Sequence, residues 1–317
     1  MVMAETGHRL SLTTPARQAP GGWRRIGDFV ALTKPRPMSV VVFTALAGLL
    51  APRSVPLDLT KGMLAMAAIA LGGGGSAVLN MWFERDLDAR MMRTAGRPIP
   101  AGRVTPTAAL AFAVVLIAVA LTLMFWVAGL VAMAMLAATI LFYGVVYTMW
   151  LKRATALNVV VGGGLASILT PLTGWAAAVG TVGLEALALF VFLVPWTPPH
   201  VWSQALVRRE DYANAQVPMM PVVAGWERTR TMIVAFTIAH AVLALLPFAM
   251  GIAGFAWLEA ALIGGAVLVV EAVDLARRPD DAEMRRAAWR FYRHNSIYVA
   301  VLLTTLIAER IVVYSIH

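Results

Sequence analysis

The sequence predicts an all-α polytopic membrane protein with nine transmembrane helices, the N-terminus in the cytoplasm and the C-terminus outside. Three observations predict it. The 317 residues are 60% hydrophobic and only 14% charged, against ~45–50% and ~25% in soluble domains, and the mean hydropathy is +0.76. Apolar runs recur from residue 38 almost to the C-terminus. The basic residues collect in alternate loops between those runs. Each spanning helix takes ~20 residues, so nine spans leave no room for a large soluble domain.

Residues 1–27 form a polar tail with Arg9, Arg17, Arg24 and Arg25. It lacks the apolar h-region of a secretory signal, so a cytoplasmic extension or a short transit peptide are the readings it allows. Residues 28–317 form a single transmembrane domain. Lys34-Pro35-Arg36-Pro37 breaks any helix and opens the first apolar run, 38–51, which is short and must tilt or borrow flanking residues. The remaining spans are 62–81, 107–127, 129–149, 156–178, 184–203, 231–250, 254–274 and 296–315.

With those spans drawn, 23 of the 26 Lys and Arg fall in the tail and in the loops after the even-numbered helices. Only Arg53, Lys61 and Arg310 lie on the other side. The positive-inside rule then sets the orientation, and the net charge of +9 reports topology and not nucleic-acid binding. A wrong helix count would have scrambled that partition. The absence of cysteine excludes disulfides, thiol nucleophiles, zinc–thiolate and iron–sulfur sites. The tight loops are the outer ones, whereas the cytoplasmic segments 82–106 and 204–230 are long and carry acids as well as bases. Chemistry is therefore expected at the cytoplasmic face.

The second span ends Asn80-Met81-Trp82-Phe83-Glu84-Arg85-Asp86-Leu87-Asp88. Asn80, Glu84 and Asp88 stand at i, i+4 and i+8, within ~80° of one another on a helix. An amide and two carboxylates on one face suit Mg²⁺, which takes one or two carboxylates together with substrate phosphates. The plainer reading is a solvated helix end paired to Arg85 and Arg90. Gly96, Pro98, Pro100 and Gly102 then shape a non-helical loop from which Arg93 and Arg97 can converge on an oligophosphate; orientation charge alone would also account for them.

After the sixth span come Trp196-Thr197-Pro198-Pro199-His200 and Arg208-Arg209-Glu210-Asp211-Tyr212. The two prolines are expected to break or kink the helix, bringing Asp211 to the membrane level of Glu84 and Asp88. The fourth span exits through Tyr143, Tyr147, Lys152 and Arg153, either an interfacial aromatic belt with an orientation signal or a third wall of an anion pocket. The glycine runs 72–75 and 162–164 read as close helix packing. His240, in the seventh span, reads as a helix–helix hydrogen bond as readily as a ligand.

The strings NMWFERDLDARMMRTAGRPIPAGR, YTMWLKRATALNVVVGG, TGWAAAVG, WTPPHVW and DYANAQVPMMPVV resemble the protohaem IX farnesyltransferase family of UbiA-type intramembrane prenyltransferases. The resemblance runs from about Phe29 to Gly225. It implies nine helices around a central cavity, Mg²⁺ as cofactor, and farnesyl diphosphate and protohaem IX (haem B) as substrates, the farnesyl group passing to a vinyl carbon with addition of water to give haem O. Carried over residue by residue, Asn80, Glu84 and Asp88 match the first diphosphate–metal motif and Asp211 the second. Arg93, Arg97, Lys152 and Arg153 match basic positions near the diphosphate, Tyr147 offers a ring to a developing cation, and His200 is the candidate to orient haem. The pattern departs at Gln216, Val201 and Thr170. The implied setting is the bacterial inner membrane, with a haem A synthase or oxidase-assembly partner downstream and no nucleic acid. Two rivals are a UbiA-type enzyme acting on an aromatic or chlorin acceptor, and a secondary transporter. The second fits poorly, because transporter sites lie near the bilayer midplane.

Overall fold

The computed structural model describes residues 22–52, 56, 58–278 and 281–316. Most of the tail at 1–27, together with His8, Arg53 and His317, lies outside the described residues; residues 22–27 already belong to a helix. Every regular element among the described residues is helical. In chain order they are α1 (Gly22–Leu32), α2 (Pro35–Leu50), α3 (Leu59–Phe83), α4 (Arg85–Arg90), α5 (Pro106–Leu141), a π-helical segment (Phe142–Leu151), α6 (Lys152–Ala154), a second π-helical turn (Val159–Gly163), α7 (Gly164–Val179), α8 (Leu184–Phe190), α9 (Leu193–Val207), α10 (Arg209–Asn214), α11 (Met220–Val223), α12 (Gly225–Leu243), α13 (Leu246–Ala249), α14 (Phe255–Arg277) and α15 (Asp281–Ile316).

Seven helices are long and apolar enough to cross a membrane, and an eighth arises if α1 and α2, bent by 47°, count as one. One of the seven, Pro106–Ala154, has 49 residues, about 74 Å of helix at 1.5 Å per residue against a hydrocarbon core of ~30 Å. Gly129 interrupts it at φ 82° and ψ −173°, in a region that a side chain would forbid. The exterior is oily: Trp126, Ile263 and Val270 are 79%, 68% and 68% exposed. A bilayer, and not water, is the solvent such a surface fits.

Inside, packing relies on two devices. Small residues let backbones touch: an alanine methyl at Gly48 in α2 would drive into the carbonyl oxygen of Pro171 in α7, and one at Gly174 into that of Ala45. Elsewhere large rings fill the space, with Phe190, Phe192, Trp202, Trp257 and Phe291 fully buried. The N-terminus of α14 is closed from afar, its Gly254 and Trp257 amides donating to Glu309 at 2.7 and 3.0 Å, because helix ends in lipid need partners of their own.

Prolines act differently from expectation at two places. Pro35 and Pro37 lie in the first turn of α2 and the break falls before them, at Lys34, since the first turn needs no amide donors. Pro198 and Pro199 sit inside α9, which continues to Val207; the interruption comes upstream, between α8 and α9.

Candidate active site

The helix carrying Asn80 ends at Phe83 and restarts as α4, yet the hydrogen bonds Glu84 N to Asn80 O (2.9 Å) and Asp88 N to Glu84 O (2.8 Å) carry the winding across. Asn80, Glu84 and Asp88 therefore keep one face, and each is only 3% exposed. Buried carboxylates require partners, and each finds one. Lys152 donates to Glu84 at 2.5 Å. Arg97 donates from one nitrogen to both oxygens of Asp88, at 2.8 and 2.7 Å. The Asn80 carbonyl accepts from Lys34 at 2.5 Å while its amide donates to Thr148 at 3.1 Å.

Arg97 reaches Asp88 because the loop between them is fixed. Thr94 donates its hydroxyl to Asp88 O, Arg97 N bonds Thr94 O, and Gly102 turns the chain at φ 67°. Lys152 reaches Glu84 for a different reason. Nine residues of α-helix would rotate it ~180° from Tyr143; π winding, at about 4.4 residues per turn, returns it to within roughly 20°. Tyr143 and Tyr147, stacked at 5.8 Å, and Lys152 thus present one face. Gly162 lies against the Tyr147 ring, where no Cβ would fit.

These elements enclose a cavity of about 280 Å³. Lys34, Arg93, Arg97 and Lys152 line it, with Asn80, Glu84, Asp88, Tyr143 and Tyr147, and Gln204, Tyr212 and Val217 close it from the other half of the chain. Four basic side chains face two carboxylates, so the cavity is electropositive and suited to a polyanion. Among the described residues no three of His, Asp and Glu converge to hold a metal ion. The amide and two carboxylates of the first motif are nonetheless the hard oxygen set from which Mg²⁺ binds when phosphate oxygens complete its shell, and they fit that ion.

Not every residue singled out in the sequence meets here. Arg153 points away, paired with Asp86 at 2.8 Å and lying 4.7 Å from the Phe83 ring centre. Asp211 is half-buried on α10 and does not line the cavity; its neighbour Tyr212 does, one residue, or ~100°, around the helix. His200 is held between Trp196 and Tyr292 at ring distances of 4.6 and 4.5 Å, one turn from cavity-lining Gln204. His240 is fully buried and hydrogen-bonded to Phe192 O at 2.8 Å, a helix-to-helix tie. Lys34, Gln204 and Tyr212 escaped the reading of the sequence. The sequence presents Lys34 as part of a helix break and of the basic N-terminal segment, and its place at the head of Lys-Pro-Arg-Pro is the available signal.

An all-helical membrane fold that gathers an amide, two carboxylates and four basic side chains into one cavity belongs to the class of membrane proteins with a site for an anionic substrate. Residues 41–297 match the UbiA prenyltransferase family, and the chain belongs to that family. Among its relatives, the protoheme IX farnesyltransferase of Methylobacterium radiotolerans is 43% identical over 93% of this chain and 92% of its own. That of Azorhizobium caulinodans is 44% identical over 94% and 96%. The resemblance read from the sequence strings is borne out. Of solved structures, one described for digeranylgeranylglyceryl phosphate synthase aligns with TM-score 0.74 at 17% identity, over 91% of this chain and 99% of that one. A UbiA homolog from Archaeoglobus fulgidus bound to DMAPP and Mg²⁺ aligns with TM-score 0.63 at 15% identity, over 87% and 100%. At those identities the likeness is one of fold.

Proposed function

We propose that this chain transfers the farnesyl group of farnesyl diphosphate to a vinyl group of haem B, with addition of water, to give haem O. The observation that carries the reading is identity above 40% to protoheme IX farnesyltransferases across more than nine-tenths of the chain. The site supplies chemistry that fits. A diphosphate leaves an allylic carbon slowly unless its growing charge is met, and groups that bind the departing anion better than the ester lower that barrier selectively. Arg93, Arg97, Lys34 and Lys152 line the cavity for this purpose. Asn80, Glu84 and Asp88 would hold Mg²⁺, with Asp211 the candidate acid from the second half; when bound, the ion adds Lewis-acid charge at the diphosphate oxygens.

As the carbon–oxygen bond breaks, its electron pair leaves with the diphosphate. The allylic cation is then attacked by the vinyl double bond, and water adds to the carbon left electron-deficient, releasing a proton. The stacked rings of Tyr143 and Tyr147 face the place where the cation forms, and a desolvated cation–π contact stabilises it by ~2 kcal/mol. A cavity of about 280 Å³ houses the polar head and not two large substrates, so the isoprenoid and the macrocycle extend toward the bilayer. His200, one turn from Gln204, is our candidate to orient the macrocycle. The cavity end of the bundle faces the cytoplasm of a bacterial inner membrane in this reading. Nine spans result when α1–α2 counts as one and Gly129 divides Pro106–Ala154. A haem A synthase or oxidase-assembly factor is the candidate to take the product.

Membranes from a host expressing the chain, supplied with haem B and labelled farnesyl diphosphate, are expected to yield a porphyrin heavier than haem B by farnesyl plus water. Label moving instead to an aromatic or chlorin acceptor would reassign the substrate. Solute exchange without diphosphate cleavage would favour a transporter.

A further inference from the structure

Each oxygen donor of the first motif is capped by its own cation: Asn80 by Lys34 at 2.5 Å, Glu84 by Lys152 at 2.5 Å, and Asp88 by Arg97 at 2.7 Å. The caps come from three separate segments, namely the α1–α2 link, the start of α6 just after the π-helical segment, and the loop after α4. Two of them are ordinary ion pairs. The third is not, for Lys34 gives its ammonium to a neutral amide and, among the described residues, has no carboxylate partner. It does so from a left-handed backbone conformation, φ 51° and ψ 61°, which is unfavourable for a lysine. Close to two other cations, an ammonium so placed is poised for an anion that an amide cannot replace.

We infer that Lys34 is a positioning residue for the diphosphate, and that the three caps form an exchange lock. Resting on the proposed function, the lock works as follows. A metal arriving alone must displace three cations from their acceptors and leave them facing a divalent charge. A diphosphate arriving alone must draw the same cations from their acceptors and leave the two carboxylates facing its own charge. Arriving together, metal and diphosphate exchange partners with the caps, the metal taking Asn80, Glu84 and Asp88 and the diphosphate taking Lys34, Lys152 and Arg97. Both carboxylates stay paired and Lys34 gains a charged partner in place of a neutral one, so the two bind cooperatively, and by linkage each tightens the other equally. Leaving-group activation is then confined to the loaded site.

Lys34→Asn keeps a residue that tolerates the left-handed backbone and removes the cap. Binding of Mn²⁺, as a spectroscopic stand-in for Mg²⁺, is measured on the full chain in detergent, with and without inorganic pyrophosphate and allowing for their complex in solution. The wild-type chain is expected to bind Mn²⁺ at least about tenfold more tightly with pyrophosphate. In Lys34→Asn, Mn²⁺ alone should bind several-fold more tightly than in wild type, and the enhancement by pyrophosphate should shrink. Lys34→Arg should restore it. Unchanged Mn²⁺ affinity and unchanged enhancement in Lys34→Asn would overturn the lock while leaving the proposed function intact. A wild-type chain that binds no Mn²⁺ with or without pyrophosphate would overturn the metal–diphosphate reading itself. Retention of the native elution volume and thermal midpoint by Lys34→Asn shows that the comparison is made on folded protein.

Discussion

Two acids, two residues apart, meet arginines in opposite settings. Asp88 is buried and grips Arg97 with both oxygens, whereas Asp86 and Arg153 form an exposed pair. Burial raises the Asp86 carboxyl, but the hydrogen bond and charge of Arg153, together with backbone amide donors, outweigh it and hold the group below its ordinary carboxylate value. A depressed acid stabilises the fold above its unfolded pKa and loses that contribution as pH falls through the folded value. On a surface this amounts to ~0–1 kcal/mol. Asp86→Asn is therefore expected to leave haem O formation near wild type and to blunt the acid-side loss of stability only slightly, read by thermal unfolding between neutral pH and pH ~3. Asp88→Asn should cut turnover by a factor of ~10² or more, the scale of losing one preorganised electrostatic group, with the protein still present in the membrane by immunoblot. Activity in Asp88→Asn equal to that of Asp86→Asn would remove Asp88 from the site. The separation of the two acids was legible in the sequence, because helical phase alone puts Asp88 with Asn80 and Glu84 and turns Asp86 away. That Tyr212 and not Asp211 faces the cavity was not legible, since α10 has only 6 residues and gives no period to read. Lys34 was hidden for another reason: its partner lies 46 residues away, and only tertiary folding brings them together.

At the level of elements, the glycines separate into packing and siting roles that different measurements resolve. Gly48 and Gly174 bring α2 and α7 into backbone contact, with carbonyl oxygens occupying the space a methyl would need. Backbone cannot yield as a side chain can, so Gly174→Ala is expected to cost ~1–3 kcal/mol or more, seen as a clear fall in thermal midpoint in detergent. A midpoint unchanged by Gly174→Ala would mean that the helices are not in that contact. Gly162 faces a ring instead, the Tyr147 ring that lines the cavity. There the ring can turn aside, so Gly162→Ala should lower turnover by about tenfold through a displaced Tyr147 while moving the midpoint far less than Gly174→Ala does. Gly48 and Gly174 are single glycines with no run to mark them, and of these glycines only Gly162, in the run 162–164, was legible as close packing. The π winding of Phe142–Leu151 was not, because Tyr143 and Tyr147 sit on one face of an α-helix as well; only the return of Lys152 to that face requires the wider turn.

For the whole molecule, the apolar runs and the segregated bases made the membrane fold legible, since lipid imposes its length and satisfaction rules on any chain. The exact partition of the longest run was harder. Residues 106–154 are almost uniformly apolar, and Gly129 is the one described position where their helical backbone is broken. The span count has a consequence that needs only one end of the chain to test. An odd number of crossings puts the termini on opposite sides of the membrane, and an even number puts them together. Residues 1–37 carry six Lys and Arg and the loop after the eighth span six more, and the positive-inside rule predicts that such charges keep both segments in the cytoplasm. One further crossing, by the C-terminal part of α15, would then carry the end of the chain out. A reporter active only outside the cytoplasm, fused after His317, is expected to be active, and a cytoplasm-dependent fluorescent reporter at the same point to be dark. The same pair fused after residue 280 should give the reverse. A fluorescent C-terminal fusion would mean that α1–α2 does not cross, and would move the cavity to the other face; the return at Gly129 stands in either case, because Lys152 comes back to Glu84.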